Sequence, residues 1–149
     1  LVKQKIHIQT ESQQKIKQKN DNHPIFVLFL PENEAHELGV LFLNYLILLN
    51  GYRTIFMGQS IQTSSLKTLY TYKTEFIFVS YLTVVPIKQG IMFFINEFYK
   101  EILEGKKSKL LLFGPQQKEI ELNNLPTQIE LYHSIEAFKV NFFYDSLYV

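Results

Sequence analysis

Glu34-Ala35-His36-Glu37-Leu38-Gly39 places an imidazole among carboxylates between two apolar runs, Ile25-Phe26-Val27-Leu28-Phe29-Leu30 before it and Val40-Leu41-Phe42-Leu43 after it. A neutral imidazole donates a proton from one ring nitrogen and offers a lone pair from the other. A carboxylate two residues upstream can take the donor side, orient the ring and raise the basicity of the free nitrogen. Such an imidazole can project from the loop toward a ligand. Gly39 lets a large ligand approach the backbone closely.

Such a loop needs a rigid support. The run before it reads as a buried strand and the run after it as a buried helix, which puts the imidazole at a sheet edge. From His23 onward five short apolar or β-rich runs alternate with helical segments, the rhythm of a parallel sheet with helices on both faces. The expected strands are 25–30, 53–57, 76–80, 110–113 and 128–132. The expected fold is therefore α/β, a flavodoxin-like (Rossmann-like) doubly wound five-stranded parallel sheet, whose commonest strand order is 2-1-3-4-5. That order makes strands one and three neighbours at the ligand-binding crevice and sets Ser80-Tyr81-Leu82 opposite the loop of Glu34 to Gly39. Gly58 and Gly114 are expected to end strands two and four at the same edge.

A first helix over 37–49, apolar on nearly every side, should pack inside and stop at Asn50-Gly51. A second spans 63–72, with Ser60 or Thr63 available as its cap. Pro86 suits the opening turn of the third, which carries Ile91, Phe94, Ile95, Phe98 and Ile102 at helical spacing before Gly105. Ser134 can cap a last helix to about Leu147. Between Gln116 and Thr127 the chain is polar, holds Pro126 and permits only short irregular turns.

Composition narrows the function classes. The chain has 149 residues, 46% hydrophobic, enough for one core. Its net charge of +1 gives no strong field for nucleic acid or anionic lipid. The absence of cysteine removes disulfides, thiolate metal sites and cysteine nucleophiles, and is compatible with a reducing cytoplasm, the expected location. The longest apolar stretch, 40–49, is broken by Asn44 and falls short of the roughly 20 residues of a membrane span. Residues 1–21 are rich in Lys and Gln, and 1–22 read as the end of a helix from an upstream element running into a polar linker, 17–22, or equally as a disordered basic tail. Residues 23–149 form the α/β domain. The opening Leu1-Val2-Lys3, without a methionine, is what an excised or processed piece would show.

The usual occupants of this scaffold fail on their own chemistry. Pro31-Glu32-Asn33-Glu34 cannot act as a Gly-x-Gly-x-x-Gly dinucleotide turn, and there is no Walker loop or Gly-x-Ser-x-Gly elbow. A receiver domain would need an aspartate ending strand three and a lysine ending strand four, where this chain has Ser80 and Gly114. Glu32, Glu34 and Glu37 would repel a phosphate.

In its ordered elements the chain resembles the cobalamin-binding domain: Glu34-x-His36-x-x-Gly39 for Asp-x-His-x-x-Gly, Ser80-Tyr81-Leu82 for Ser-x-Leu, and Gly114-Pro115 for Gly-Gly. The resemblance implies that His36 is the lower cobalt ligand, replacing the cofactor's own benzimidazole, and that Glu34 is its hydrogen-bonding partner. It further implies that the displaced nucleotide tail inserts beside the sheet, bonded by Ser80, lined by Leu82 and given room by Gly114. Pro115 departs from the pattern and narrows that room.

Within the family, 30–39 and 52–60 look most like the C-terminal domain of MerR-type transcriptional regulators. The reading implied is a sensor, not an enzyme, that takes adenosyl- or methylcobalamin. It would reach DNA only through an upstream winged-helix domain outside this chain, make no membrane contact, and leave homo-oligomer formation open. Two alternatives stand beside it: a corrinoid carrier domain of a methyltransferase or mutase, and a degenerate, cofactor-free interaction domain. His7, His23 and His133 carry no pattern, and the aromatic positions read as core.

Overall fold

Alternation of apolar side chains along the strands builds two cores, one on each face of a single sheet. The computed structural model describes residues 23–84 and 90–144. Its strands are β1 (Ile25–Pro31), β2 (Thr54–Ile61), β3 (Phe76–Tyr81), β4 (Lys109–Phe113) and β5 (Ile129–Leu131). All pairings are parallel and the order is β2-β1-β3-β4-β5, as expected for a flavodoxin-like sheet. Val27, Phe29, Phe76, Phe78, Leu110 and Leu112 point to one face, and Phe26, Leu28, Ile77, Val79, Leu111 and Phe113 to the other, the period-two consequence of the pleat.

The first face is covered by a 3₁₀ helix, Thr63–Thr71, and by α2, Ile91–Phe98, which continues as a π turn over Tyr99–Leu103. Phe98 is the centre of this layer, stacked on Phe29 with centroids 5.6 Å apart and edge-on to Phe78 at 5.3 Å. The second face is covered by α1, Leu38–Leu49, and α3, Ile135–Lys139, which continues as a π turn over Val140–Tyr144. Ser134 caps α3 by accepting from the Ala137 amide at 3.1 Å.

Several elements depart from the sequence expectation, each for a physical reason. Gly58 does not end β2. Phe29 pairs with Gly58 where Leu28 pairs with Phe56, so Met57 is an extra residue in a bulge, and β2 curls on to Ile61. Gly58 and Ser60 both hold positive φ, so Ser60 belongs to the curled strand and is no helix cap. The helix expected over 63–72 is a 3₁₀ helix with Gln62 at its cap position and no side-chain cap bond. Thr68 and Thr71 turn their hydroxyls back on the carbonyls of Ser65 and Thr68, at 3.0 and 2.8 Å, and a segment this rich in such bonds settles into the tighter winding.

Nor is α1 enclosed all round. Leu38, Phe42 and Leu49 are exposed because the helix lies on the sheet by one face and no described element covers the other. Pro86, the upstream segment with its linker, and the end of the last helix lie outside the described residues. Among the described residues no helix is long and apolar enough to cross a membrane.

Phe98 is fully buried between two other rings, so Phe98→Ala leaves a cavity that rigid strands cannot close. Urea denaturation is expected to show a loss of about 3–5 kcal/mol. A loss under about 1 kcal/mol would mean that this layer is not packed as described.

Candidate functional site

The edge where β1 and β3 diverge holds the site. Their pairing runs from Ile25↔Phe76 to Leu28↔Val79 and goes no further. Beyond it β1 turns through Glu32 and Asn33, the latter at φ +73°, a conformation that asparagine tolerates. The Glu34 amide donates to the Pro31 carbonyl at 3.2 Å, and the turn drives the Glu34 side chain inward, where its residue is only 1% exposed.

A buried carboxylate needs donors on both oxygens. The loop after β3 supplies most of them. Oε2 accepts from the amides of Thr83 at 2.8 Å and Val84 at 3.0 Å. Oε1 accepts from the Thr83 hydroxyl at 2.6 Å and from the His36 amide at 3.1 Å. Burial by itself pushes the Glu34 carboxyl up, but the Thr83 hydroxyl and the amides of Val84, Thr83 and His36 together outweigh it, and the net displacement is below the ordinary value of 4.5. Glu34 is therefore ionised at neutral pH.

His36 Nδ1 lies 3.1 Å from Glu34 Oε1 and 2.9 Å from Thr83 Oγ1. The Thr83 hydroxyl has one proton, and its 2.6 Å contact with an ionised carboxylate uses it. Both neighbours of Nδ1 are then acceptors, so Nδ1 carries the ring proton. In the neutral ring Nε2 holds the lone pair. With the side chain 68% exposed, that nitrogen is turned to solvent from a ring anchored on its other side.

Glu34 and His36 come together in this way, and Thr83 joins them. Sequence reasoning missed Thr83. The available signal was a hydroxyl residue directly after Ser80-Tyr81-Leu82, at the end of the strand that the fold sets beside Glu34. The remaining candidate positions are filled by the chain itself. A side-chain carbon on Gly39 would lie 2.7 Å from Cδ2 and 2.8 Å from Cγ of Tyr81, so the close approach that Gly39 permits is made by that ring. Ser80 is fully buried and donates to the Phe29 carbonyl at 2.8 Å, extending the β1–β3 connection one step past the ladder. Leu82 is buried in the α2-side core. Its amide donates to the Phe113 carbonyl at 2.8 Å and its carbonyl accepts from Gln116. A side chain on Gly114, at φ +102°, would overlap the Leu82 carbonyl.

Among the described residues, two clefts open at this edge. One, of about 210 Å³, lies between Tyr81, Gly114, Pro115, Lys118 and His133. The other, of about 250 Å³, lies between Glu32, Thr63, Phe94, Glu97 and Glu101 on the opposite face. His23 packs edge-on against Tyr52 at 5.5 Å, a structural contact. A corrinoid can be tested against these observations. An exposed Nε2 lone pair on a ring whose Nδ1 faces a carboxylate has the donor chemistry that a cobalt ligand would need. Ser80, Leu82 and Gly114, by contrast, are engaged by the chain itself and leave no space there for a nucleotide tail.

No protein-family model matches the chain, and no curated protein matches its sequence. Among solved structures it is similar to the monomethylamine corrinoid protein of Methanosarcina barkeri, with a TM-score of 0.62 and 16% identity over 91% of this chain. The likeness is one of fold. The chain spans 63% of that protein's length.

Glu34 offers a direct check on the electrostatics. Its folded pKa is lowered, so its stabilisation is fully present above the unfolded value and is lost as pH falls through the folded one. The stability difference between the parent chain and Glu34→Gln should be widest at neutral pH and close as pH drops below about 4.5. A difference that stays constant down to about pH 3 would show that the carboxylate is not held by these donors.

Proposed function

We propose that residues 23–149 are a corrinoid-binding domain in which His36 ligates cobalt from below through Nε2, with Glu34 and Thr83 as the residues that position the ring. The observation that carries this reading is the anchored tautomer: Nδ1 within reach of Glu34 Oε1 and Thr83 Oγ1 leaves a lone pair on the exposed nitrogen. Imidazole is a good ligand for cobalt, and a carboxylate on its far nitrogen strengthens it. Among the described residues no group of three or more His, Cys, Asp or Glu side chains could hold a bare metal ion. A corrin ring brings its own equatorial nitrogens, so one protein ligand suffices. The shared fold with a corrinoid protein supports the same reading. When bound, the cofactor would supply a cobalt centre able to carry a group such as methyl or adenosyl.

The role we assign is sensory, in a MerR-type regulator of transcription. Its support is the resemblance of residues 30–39 and 52–60 to such regulators, whose DNA-reading module would lie upstream. The carrier role, presenting a corrinoid to a methyltransferase or mutase, is favoured by one specific observation, the corrinoid protein whose fold the chain shares. A winged helix upstream would favour the regulator, and a catalytic partner domain the carrier.

The reading is tested by following the visible spectrum and thermal unfolding of the chain while corrinoids are added. A ligand at about a hundred times its dissociation constant adds roughly 2.7 kcal/mol. Each kcal/mol raises the melting temperature of a domain near this size by about 2–4 °C. Stabilisation of several degrees with a spectral change that His36→Ala abolishes is the expected result. Absence of both with every corrinoid would refute the proposal.

A further inference from the structure

We propose that Tyr81 adapts this site to corrinoids that lack a nucleotide tail, the cobinamide class. The inference rests on the corrinoid reading and names its ligand more narrowly. Tyr81 leaves the end of β3 on the α1 side of the sheet, and its ring lies against Gly39 at 2.7 Å from where a side chain would begin. It runs nearly parallel to Phe113, at 5° and a centroid separation of 6.4 Å. Phe113 in turn stacks on Tyr132 at 16° and 5.3 Å. These rings cross the carboxyl ends of β3, β4 and β5 as one wall. Phe138 closes it from behind, edge-on to Phe113 at 5.5 Å and to Tyr132 at 5.8 Å.

A base entering between the sheet and α1 would meet that wall. The cleft left outside it is about 210 Å³, below the roughly 300–1,000 Å³ of small-molecule pockets. On the other face the Ser80 hydroxyl is engaged, Leu82 is in the core and Gly114 rests on the backbone of Leu82, and the cleft there, about 250 Å³ and lined by Glu32, Glu97 and Glu101, is also below that range. His36 needs no slot. Its ring is exposed at the loop surface, so a corrin ring can dock on Nε2 from outside while nothing inserts beneath it. A complete cobalamin ligated from below must instead move its own base off cobalt and house the tail, and on the α1 side Tyr81 stands in its way.

The test compares the affinity of the full chain for diaquocobinamide and hydroxocobalamin, read from the visible spectrum, in the parent, Tyr81→Ala and His36→Ala. Tyr81→Ala should bind hydroxocobalamin at least about tenfold more tightly than the parent while its affinity for diaquocobinamide stays the same. Tyr81→Leu, which keeps an apolar contact with Phe113 but lacks the ring's reach, should shift the same way and serves if Tyr81→Ala fails to fold. Unchanged hydroxocobalamin binding in the folded variant, or equal affinity of the parent for both corrinoids, would overturn the proposal and leave His36 ligation standing. A spectrum that does not respond to His36→Ala with either corrinoid would remove ligation and this inference together.

Discussion

The Glu34 carboxylate is the constraint on which the loop edge depends. An ionised group with 1% exposure is costly unless its oxygens are satisfied, and here the satisfying donors come from two loops distant in sequence, 34–36 and 83–84. Neither loop has a regular ladder at this point, because the β1–β3 pairing has already ended at Leu28 and Val79. The carboxylate takes over as the link between them. It also fixes the proton on His36, since a carboxylate that already takes the Thr83 proton can only accept from Nδ1. Position of the loop, orientation of the ring and the direction of its lone pair thus follow from one charge.

The sheet supplies the place where such a link is required. With order β2-β1-β3-β4-β5, the helices after β1 and β3 leave on opposite faces, and the two strand ends separate. Ser80 carries the connection one step beyond the ladder through the Phe29 carbonyl, and Glu34 carries it further. On the β4 side the backbone of Leu82 does the same work, bonded to Phe113 and Gln116 and covered by Gly114. The glycine is demanded there by the chain's own backbone. The same holds at Gly39, where the demand comes from the Tyr81 ring.

Strands, their order and the closures of α1 and α3 were legible because they rest on local signals: unbroken apolar runs, Asn50-Gly51 after a helix, and Ser134 before one. The contact between Glu34 and His36 was legible from their spacing and their place after β1. The 3₁₀ helix was less so, since its winding depends on hydroxyl bonds that compete with the α-helical pattern rather than on apolar period. The bulge at Gly58 was read as a stop because a glycine in a strand signals either one. Thr83 and Tyr81 escaped for a deeper reason. Each matters through a contact across many residues, a hydroxyl on a carboxylate and a ring against a missing side chain, and no short-range spacing encodes such a match.

Cobalt ligation by His36 is the central claim, and electron paramagnetic resonance of the chain with cob(II)inamide tests it most directly. Cobinamide lacks a benzimidazole, so an axial nitrogen coupling has to come from the protein. The account predicts a triplet splitting that becomes a doublet when the chain is grown with ¹⁵N-labelled histidine, and that vanishes in His36→Ala. A spectrum without axial nitrogen coupling, or one that His36→Ala leaves unchanged, would contradict it.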